Sequence, residues 1–213
     1  IFTSSPASQI VGRPGSGSSA CEAVLALSGL PYDTEDLDRW PDRQPPAALT
    51  ALNPLGQVPV LILPDATVIT ESAAIVMHVA ALTKAAKLAP EPGTAEHARY
   101  LHLMLFLAAN VYMTDLCWYY PHRLSIDPSD APRIKAQSGI DQRRNWAMLE
   151  NIAASDRALL PSGFSAVDVY MATLVSWTEL EGFKAAYPKI ASIAHSVGQI
   201  PEIAPVWRRH AII

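Results

Sequence analysis

Hydrophobic and polar positions in the first third of the chain change period several times, which indicates mixed strands and helices. The apolar-centred run Gln9 to Gly12 predicts a first strand, followed by the turn-rich segment Arg13 to Ser18. Ser19 and Glu22 have the spacing of a capping box, so the apolar positions after them predict a helix, which ends near Gly29. The chain therefore starts with a strand, a loop and a helix.

The next stretch predicts three further strands and a second helix. Tyr32 to Leu37 favours a second strand, and the apolar, β-branched run Val58 to Leu63 is typical of a buried strand. The turn at Pro64 to Ala66 leads into Thr67 to Thr70, which we expect to pair with that buried strand in an antiparallel hairpin. From Glu71 to about Thr83 the pattern is helical again.

The second half of the chain predicts helices only. Lys84 to Thr94, which contains two prolines and a glycine, is typical of an interdomain linker. We therefore predict an α+β domain over residues 8–84 and an all-α helical domain over residues 94–213. The predicted helices of this domain run from Ala95 to about Tyr119, from Pro132 to about Asp156, from Ala166 to about Glu181, near Pro188 to Val197, and from Pro201 onward.

A second capping box lies inside the predicted helical domain. Ser165 and Asp168 match the pattern S-x-x-D ahead of the apolar run Val169 to Trp177. We assign this pair to folding and not to catalysis, so that loss of the Asp168 side chain is expected to lower stability by about 1 kcal/mol or more.

Composition narrows the function classes. Half of the 213 residues are hydrophobic, 17% are charged, and the formal net charge is −4. This balance gives no general attraction to phosphate backbones or anionic lipid, which argues against a nucleic-acid function. The sequence has no run of about 18 consecutive apolar residues, so no membrane span is expected. Ile1 to Ala7 lack the pattern of a signal peptide and are interpreted as an N-terminal extension.

Cysteine and histidine usage favours neither disulfides nor metal binding. Cys21 and Cys117 lie far apart and form no metal-type spacing, which fits a reducing, cytoplasmic setting. The six histidines show no ligand grouping, so no metal is predicted.

Three stretches together carry a family likeness. They are Asn53-Pro-Leu-Gly-Gln-Val-Pro-Val-Leu with Ile69-Thr-Glu-Ser-Ala-Ala-Ile, Pro14-Gly-Ser-Gly-Ser through Gly29-Leu-Pro-Tyr, and Phe164-Ser-Ala-Val-Asp-Val-Tyr-Met-Ala. In order and spacing they resemble the cytosolic-type, bacterial glutathione S-transferase family over almost the whole chain. The resemblance implies a thioredoxin-like N-terminal domain (βαβ-ββα) that binds glutathione, and an all-α helical bundle that holds a second substrate.

The resemblance also implies how glutathione is held. Pro59 stands where the family has a cis-proline, which exposes the backbone of Val58 to the cysteinyl part of glutathione; an ordinary edge-strand proline is the alternative. The helix start at Glu71 and Ser72 is expected to hold the γ-glutamyl part, because free N–H groups and the helix dipole favour a carboxylate there. Simple helix capping by Thr70 or Ser72 is the alternative, and both roles can coexist.

Further contacts to glutathione are expected from two polar positions. The loop Arg39 to Gln44 lies where relatives place a group for the glycyl carboxylate, which makes Arg43 a candidate, with a solvated arginine as the alternative. Gln57, beside the predicted cis-proline, is a further candidate.

Two serines and a cysteine are candidates for the residue that activates the glutathione thiol. Relatives use Tyr, Ser or Cys after the first strand, and here Arg13 stands where a tyrosine might be found. Ser16 follows Pro-Gly as in delta-like relatives and is the first candidate, with Ser18 second. Ser19 is explained as a helix cap. Cys21 is the rival nucleophile, although a small buried residue in a helix is its commoner role.

An aromatic cluster near a helix end supplies the candidate second-substrate pocket. The resemblance places Tyr112, Trp118 and Tyr120 over the glutathione sulfur, and core packing is the alternative reading for some of them. The implied activity is a detoxifying transferase that stabilises the glutathione thiolate for attack on a small hydrophobic electrophile. A glutathione-dependent isomerase, peroxidase or lyase, and a non-catalytic carrier or interaction protein, are the alternatives. Relatives form homodimers, and Ala73 to Ala81 and Leu101 to Leu107 are apolar enough for such an interface.

Overall fold

The structure is a computed structural model and describes residues 7–41 and 43–212. The interpretation of Ile1 to Ala7 as an extension therefore falls almost entirely outside the described residues. The chain divides into two compact units. The sheet unit comprises the described residues up to Ala89 together with those from Gly198 on, and the helical unit is Pro90–Val197.

The sheet unit is built on four strands, β1 (Ser8–Gly12), β2 (Tyr32–Asp36), β3 (Val60–Ile62) and β4 (Val68–Thr70), in the order β2-β1-β3-β4. β1 pairs with β2 in parallel and with β3 antiparallel, and β3 pairs antiparallel with β4. The predicted strands and the predicted hairpin are thereby confirmed, with β3 shorter at both ends than its apolar run.

Helices make up most of the remaining described chain. In chain order they are α1 (Ser18–Ser28), α2 (Ala47–Leu52), α3 (Ser72–Leu82), α4 (Ala95–Phe106), α5 (Tyr112–Tyr119), α6 (Ala131–Ile152), α7 (Ala166–Val175), α8 (Phe183–Ala186), α9 (Pro188–Gly198) and α10 (Ile203–Arg209). A π-helical turn, Leu107–Val111, joins α4 to α5, so the predicted long helix from Ala95 to Tyr119 is one continuous helical segment. The α+β plus all-α fold class is confirmed.

Helix α1 is the centre of the sheet unit and packs against both α3 and α10. Ala20, Cys21, Ala23 and Val24 have no exposed surface, because small side chains let the neighbouring helices approach closely. A separate core cluster of Val11, Leu49 and Val60 packs with partly buried residues that include Trp40 and Val58. The short helix α2 contributes Leu49 to this cluster; its six residues are too few to give a periodic signal in the sequence.

The predicted capping box at Ser19 and Glu22 is wrong. The N-cap of α1 is Gly17, with no side-chain cap, and the Ser19 hydroxyl donates to the Ser16 carbonyl at 2.7 Å. The Glu22 carboxylate instead pairs with Arg209 and His210. The local spacing assigned this carboxylate to the helix start, but it contacts the Arg209 cation and the His210 ring from the C-terminal segment instead.

The extent of two helical segments also differs from prediction. Residues 198–213 fall within the predicted helical domain, but the structure groups them with the sheet unit because α10 packs on α1. The helix expected to reach Glu181 ends at Val175, and the short α8 (Phe183–Ala186) follows. The hydroxyls of Ser176 and Thr178 donate to carbonyls of the last turn of α7. The sequence contains no strong helix-stop signal at this point.

One described helical stretch, Ala95–Tyr119, is long and apolar enough to cross a membrane by length and composition alone. A third of its most apolar window is buried inside the protein. One such helix is weak support for a membrane span, since a core helix of a soluble protein meets the same criterion.

The core of the helical unit contains a buried carboxyl group. Asp115 on α5 is 2% exposed and accepts a hydrogen bond from the Gln142 side chain on α6 at 2.8 Å. Burial raises the pKa of Asp115 to about 7, against the opposing effect of that hydrogen bond. Trp146, Tyr170 and Leu149 pack in the same unit with almost no exposed surface.

The capping box at Ser165 and Asp168 is confirmed. Asp168 is completely buried; one carboxylate oxygen accepts from the Ser165 N–H and the other from the Leu159 N–H, each at 2.8 Å. The carboxylate therefore both caps α7 and fixes the loop before it. Burial raises the pKa of Asp168 to about 6, because these hydrogen bonds offset only part of the cost of burying its charge.

We predict that Asp168→Ala destabilises the protein by about 2 kcal/mol or more, because two buried N–H groups lose their acceptor. The measurement is urea unfolding followed by circular dichroism. The matched control is Asp127→Ala, which removes an exposed cap that accepts from the Ser129 N–H, and its effect should be clearly smaller. Equal losses in the two variants would contradict the structural role assigned to Asp168.

Candidate active site

The loop between β1 and α1 begins with a tight turn. The Ser16 N–H donates to the Arg13 carbonyl at 3.1 Å, with Pro14 and Gly15 between them. Gly15 has φ +72°, and proline followed by a positive-φ glycine is typical of a type II turn. This turn brings the Ser16 side chain to the start of α1.

The hydroxyls of Ser16 and Ser18 share one small network. Their oxygens lie 2.9 Å apart, and the Arg13 carbonyl is 2.7 Å from Ser16 Oγ and 3.0 Å from Ser18 Oγ. The Ser18 N–H donates to Ser16 Oγ at 3.3 Å. Ser16 is half-buried, whereas Ser18 is 2% exposed. Ser18 also packs so closely against Gly12 that a Cβ added to Gly12 would lie 2.5 Å from Ser18 Cβ. Ser16 is thus the accessible hydroxyl and Ser18 is its buried partner.

The two cysteines have different surroundings, and both are free thiols. Cys21 on α1 has no exposed surface, and its sulfur donates weakly to the carbonyls of Gly17 and Ser72. Burial raises the pKa of Cys21 far above that of a free thiol, which opposes thiolate formation. Cys117 is half-buried, and its pKa is raised by burial and by Asp141. Among residues 7–41 and 43–212, no group of three or more potential ligands could hold a metal ion.

The peptide bond between Val58 and Pro59 is cis, as the resemblance implies. Val58 is half-buried and precedes β3, which begins at Val60. The loop before it is held by Asn53, whose side-chain amide donates to the Gln57 carbonyl at 2.8 Å. The Gln57 side chain itself is exposed.

Helix α3 begins directly after a residue with unusual backbone geometry. Glu71 has φ +66° and ψ +111°, a region that non-glycine residues rarely adopt and that is commonest at functional sites. The Glu71 side chain is exposed, and Ser72, the first residue of α3, is 8% exposed. This conformation turns the chain sharply from β4 into the helix, so the first N–H groups of α3 lie beside Glu71.

Strand register brings these three segments to one edge of the sheet. Val11 pairs with Val60, and Val60 pairs with Thr70, so the three residues form one row across β1, β3 and β4. The turn of residues 13–16, called the serine turn below, follows Val11, the cis-proline precedes Val60, and Glu71 follows Thr70. The sequence-predicted residues Ser16, Ser18, Val58, Pro59, Glu71 and Ser72 therefore lie on segments that leave the sheet at the same edge.

A cation that the sequence patterns did not single out lies beside this edge. The Arg13 guanidinium lies 5.3 Å from the centre of the Trp40 ring, an arrangement that orients a cation. Arg43, the predicted candidate for the glycyl carboxylate, is exposed and has φ +61°. The structure thus shows Arg13 with an aromatic partner and Arg43 on an exposed loop.

The aromatic residues of the helical unit face different partners. Tyr112 packs edge-on against Trp177 with ring centres 5.2 Å apart, and Tyr120 lies under the Arg123 guanidinium at 4.2 Å. Trp118 faces α6, where Lys135 lies 5.7 Å from the ring centre. Trp177 also belongs to this region, because it packs against Tyr112. The sequence placed Trp177 inside a helix, but α7 ends at Val175.

The C-terminal residues reach the serine turn, which the sequence did not indicate. His210 Nδ1 lies 3.3 Å from the Gly15 nitrogen and accepts its hydrogen bond, and His210 Nε2 lies 2.8 Å from the Glu22 carboxylate. Arg209 pairs with Glu22 and with Asp36. Burial, with a contribution from Arg209, lowers the pKa of His210 to about 4 against the effect of Asp36, so the ring is neutral near pH 7.

Comparisons with known proteins identify the family to which this chain belongs. A family model described as "Glutathione S-transferase, N-terminal domain" matches residues 18–82. An uncharacterized GST-like protein of Escherichia coli strain K12, YncG, is 32% identical over 209 residues, which is 96% of this chain and 99% of that protein. The chain belongs to the glutathione S-transferase family.

Solved structures agree with this assignment and confirm the thioredoxin-like sheet domain with a helical domain. A glutathione transferase homolog from Sulfitobacter, solved with bound glutathione, is 26% identical with a TM-score of 0.86, over 98% of this chain and 100% of that one. The beta class glutathione S-transferase of Sphingomonas chungbukensis is 22% identical with a TM-score of 0.81, over 96% and 100%, which supports the fold alone.

We predict that iodoacetamide labels Cys117 in the native protein and leaves Cys21 unmodified, because Cys21 is inaccessible and its thiol resists ionisation. Peptide mass spectrometry before and after urea unfolding measures the label on each residue. The control variant Cys117→Ser should take up no label until it unfolds. Native labelling of Cys21 as fast as that of Cys117 would restore Cys21 as a candidate nucleophile.

Proposed function

We propose that this protein is a glutathione transferase, which stabilises the glutathione thiolate for attack on a small hydrophobic electrophile. The proposal is carried by one observation: the accessible Ser16 hydroxyl, the cis Val58–Pro59 bond and the start of α3 leave the sheet at one edge. Bound glutathione in the Sulfitobacter homolog supports it.

The peptide part of glutathione is held mainly by backbone groups in this proposal. The N–H and C=O of Val58 pair with the cysteinyl unit like a short added strand. Ser72 and the first N–H groups of α3 bind the γ-glutamyl carboxylate, and the Glu71 carboxylate binds the neighbouring ammonium. Arg43 and Gln57, both exposed, are the candidates for the glycyl carboxylate.

Ser16 donates a hydrogen bond to the bound sulfur in this mechanism. In the structure the Ser16 hydroxyl donates to the Arg13 carbonyl at 2.7 Å, and Ser18 Oγ is 3.0 Å from the same carbonyl oxygen. Ser18 can therefore keep that carbonyl satisfied when the Ser16 hydroxyl turns to the thiolate, while the Ser18 N–H still donates to Ser16 Oγ. A hydrogen bond to the charged form lowers the thiol pKa and raises the concentration of the nucleophile.

The electrophile is held by aromatic side chains of the helical unit, with Tyr112, Trp118 and Tyr120 as the candidates. The apolar faces of these aromatic rings suit a hydrophobic substrate. The two free thiols are consistent with action in the reducing cytoplasm, and removal of reactive electrophiles is the proposed detoxifying role.

We predict that Ser16→Ala raises the pKa of bound glutathione, so that the thiolate fraction at about pH 6.5 falls about tenfold. Ultraviolet thiolate absorbance against pH measures it in wild type and in Ser16→Ala. Affinity for S-methylglutathione, which has no ionisable thiol, should be unchanged. The matched variant Ser18→Ala should have a smaller effect, because Ser18 acts through Ser16. An unchanged thiol pKa in Ser16→Ala would exclude Ser16 as the donor.

A second candidate function is a glutathione-binding carrier or interaction protein. It is favoured by the Ser16 hydroxyl, which already donates to the Arg13 carbonyl at 2.7 Å. Glutathione binding with no lowering of its thiol pKa in the wild type would select this reading. Turnover without conjugate formation would instead select an isomerase, peroxidase or lyase on the same fold.

A homodimer is the proposed assembly. Helix α4 carries exposed apolar side chains, with Leu105 at 58% and Leu101 at 36% exposure, next to the buried Leu103 and Met104. Exposed leucines at this spacing form a stripe along one face of the helix, which suits burial against a second copy of the chain.

We predict that Leu105→Glu converts the dimer to a monomer at micromolar concentration, because a charge in an apolar interface loses its hydration without a partner. Sedimentation velocity measures the mass. The matched control is Ile140→Glu on α6, where the native side chain is 60% exposed, and this variant should keep the wild-type mass. A wild-type monomer would overturn the proposed assembly.

A further inference from the structure

The Gly15 N–H is the backbone donor that the serine turn does not use. In the turn, the Arg13 carbonyl accepts from the Ser16 N–H at 3.1 Å. The Gly15 N–H points instead to His210 Nδ1 at 3.3 Å, from a residue 195 positions later in the chain. The peptide between Pro14 and Gly15, which is the central peptide of the turn, is therefore oriented by the C-terminal segment.

His210 is itself held on its other side. Its Nε2 lies 2.8 Å from the Glu22 carboxylate, and the residue is 2% exposed. Arg209 binds the same carboxylate from α10 and also pairs with Asp36 on β2. Arg209 Nη2 also lies 3.1 Å from His210 Nε2, so the imidazole is held to α1 directly through Glu22 and to β2 through Arg209.

The hydrogen bond from Gly15 assigns one tautomer to the neutral ring, because a backbone N–H can only donate. Nδ1 accepts from the Gly15 N–H, so it carries no proton, and Nε2 then carries the proton that it donates to Glu22. The neutral ring thus accepts a hydrogen bond from the serine turn and donates one to the Glu22 carboxylate on α1. Protonation of Nδ1 would break the first of these bonds.

We infer that His210 is a positioning residue for thiol activation: by accepting the Gly15 N–H it fixes the turn that aims the Ser16 hydroxyl. This inference rests on the proposed function of Ser16. A donor must be held within about 0.5 Å of its productive position, and a supporting hydrogen bond from a buried, anchored side chain supplies that constraint. Gly15 at φ +72° is free to adopt other conformations, so the turn needs such an anchor.

Two substitutions separate the two hydrogen bonds of the ring. His210→Asn places an amide oxygen near Nδ1 and can accept from Gly15, but it loses the contact to Glu22. His210→Gln places an amide nitrogen near Nε2 and can donate to Glu22, but it has no acceptor for Gly15. Both remove the imidazole from the same buried site, so their general cost in stability is matched. His195→Gln, an exposed histidine on α9, is the control for loss of an imidazole.

The experiment measures the pKa of bound glutathione by thiolate absorbance, with S-methylglutathione affinity and thermal unfolding recorded for every variant. We expect His210→Gln to lower the thiolate fraction at about pH 6.5 by about tenfold, as Ser16→Ala does. His210→Asn should stay near wild type, and S-methylglutathione affinity should be unchanged in both.

Equal thiol pKa values in His210→Gln and wild type would overturn the inference and leave the role of Ser16 intact. Equal increases in the Asn and Gln variants would also overturn it, since the bond to Glu22 would then be the one that matters. A wild type that binds glutathione without lowering its thiol pKa would overturn the proposed function and this inference together. If His210→Asn does not fold, the comparison of His210→Gln with wild type and Ser16→Ala still decides the outcome.

Discussion

The candidate site depends on one row of strand pairing. Val60 on the short β3 is paired on one side with Val11 and on the other with Thr70, and the three functional segments all leave the sheet next to this row. A slip of one residue in either ladder would reverse the faces of the strands and move the cis-proline away from the serine turn. Apolar burial on both sides of the sheet makes that slip costly, since Val60 and Leu61 have no exposed surface.

Around this row, the groups assigned to glutathione are mostly backbone atoms. The cis bond at Pro59, the positive φ of Glu71 and that of Gly15 each turn the main chain at the sheet edge. Backbone groups that the surrounding fold holds in place lose less entropy on binding a peptide than long side chains do. In the proposed mechanism the sulfur takes its hydrogen bond from a side chain, and the candidates Ser16 and Ser18 form a network in which one carbonyl accepts from two hydroxyls.

Much of the fold could be predicted because its signals are local. The apolar run before Pro64 and the turn after it predict the hairpin, and the Ser165–Asp168 spacing predicts a capping box that the structure contains. The same spacing at Ser19 and Glu22 predicts a cap that does not form. The difference is tertiary: the donors around Asp168 come from its own cap and the preceding loop, whereas Glu22 faces Arg209 and His210.

The strand and helix order follows from the sequence alone, because side-chain period and turn chemistry are local signals. The contiguous motifs that resemble the family implied the cis-proline and the residues expected around glutathione. Only the tertiary structure decided that Ser16 is accessible while Ser18 is buried, and that the C-terminal helix belongs to the sheet unit. It alone brought His210 to Glu22, 188 positions away, and to the serine turn. Such a contact leaves no periodic trace in the sequence, because it depends on how the whole chain closes and not on neighbouring residues.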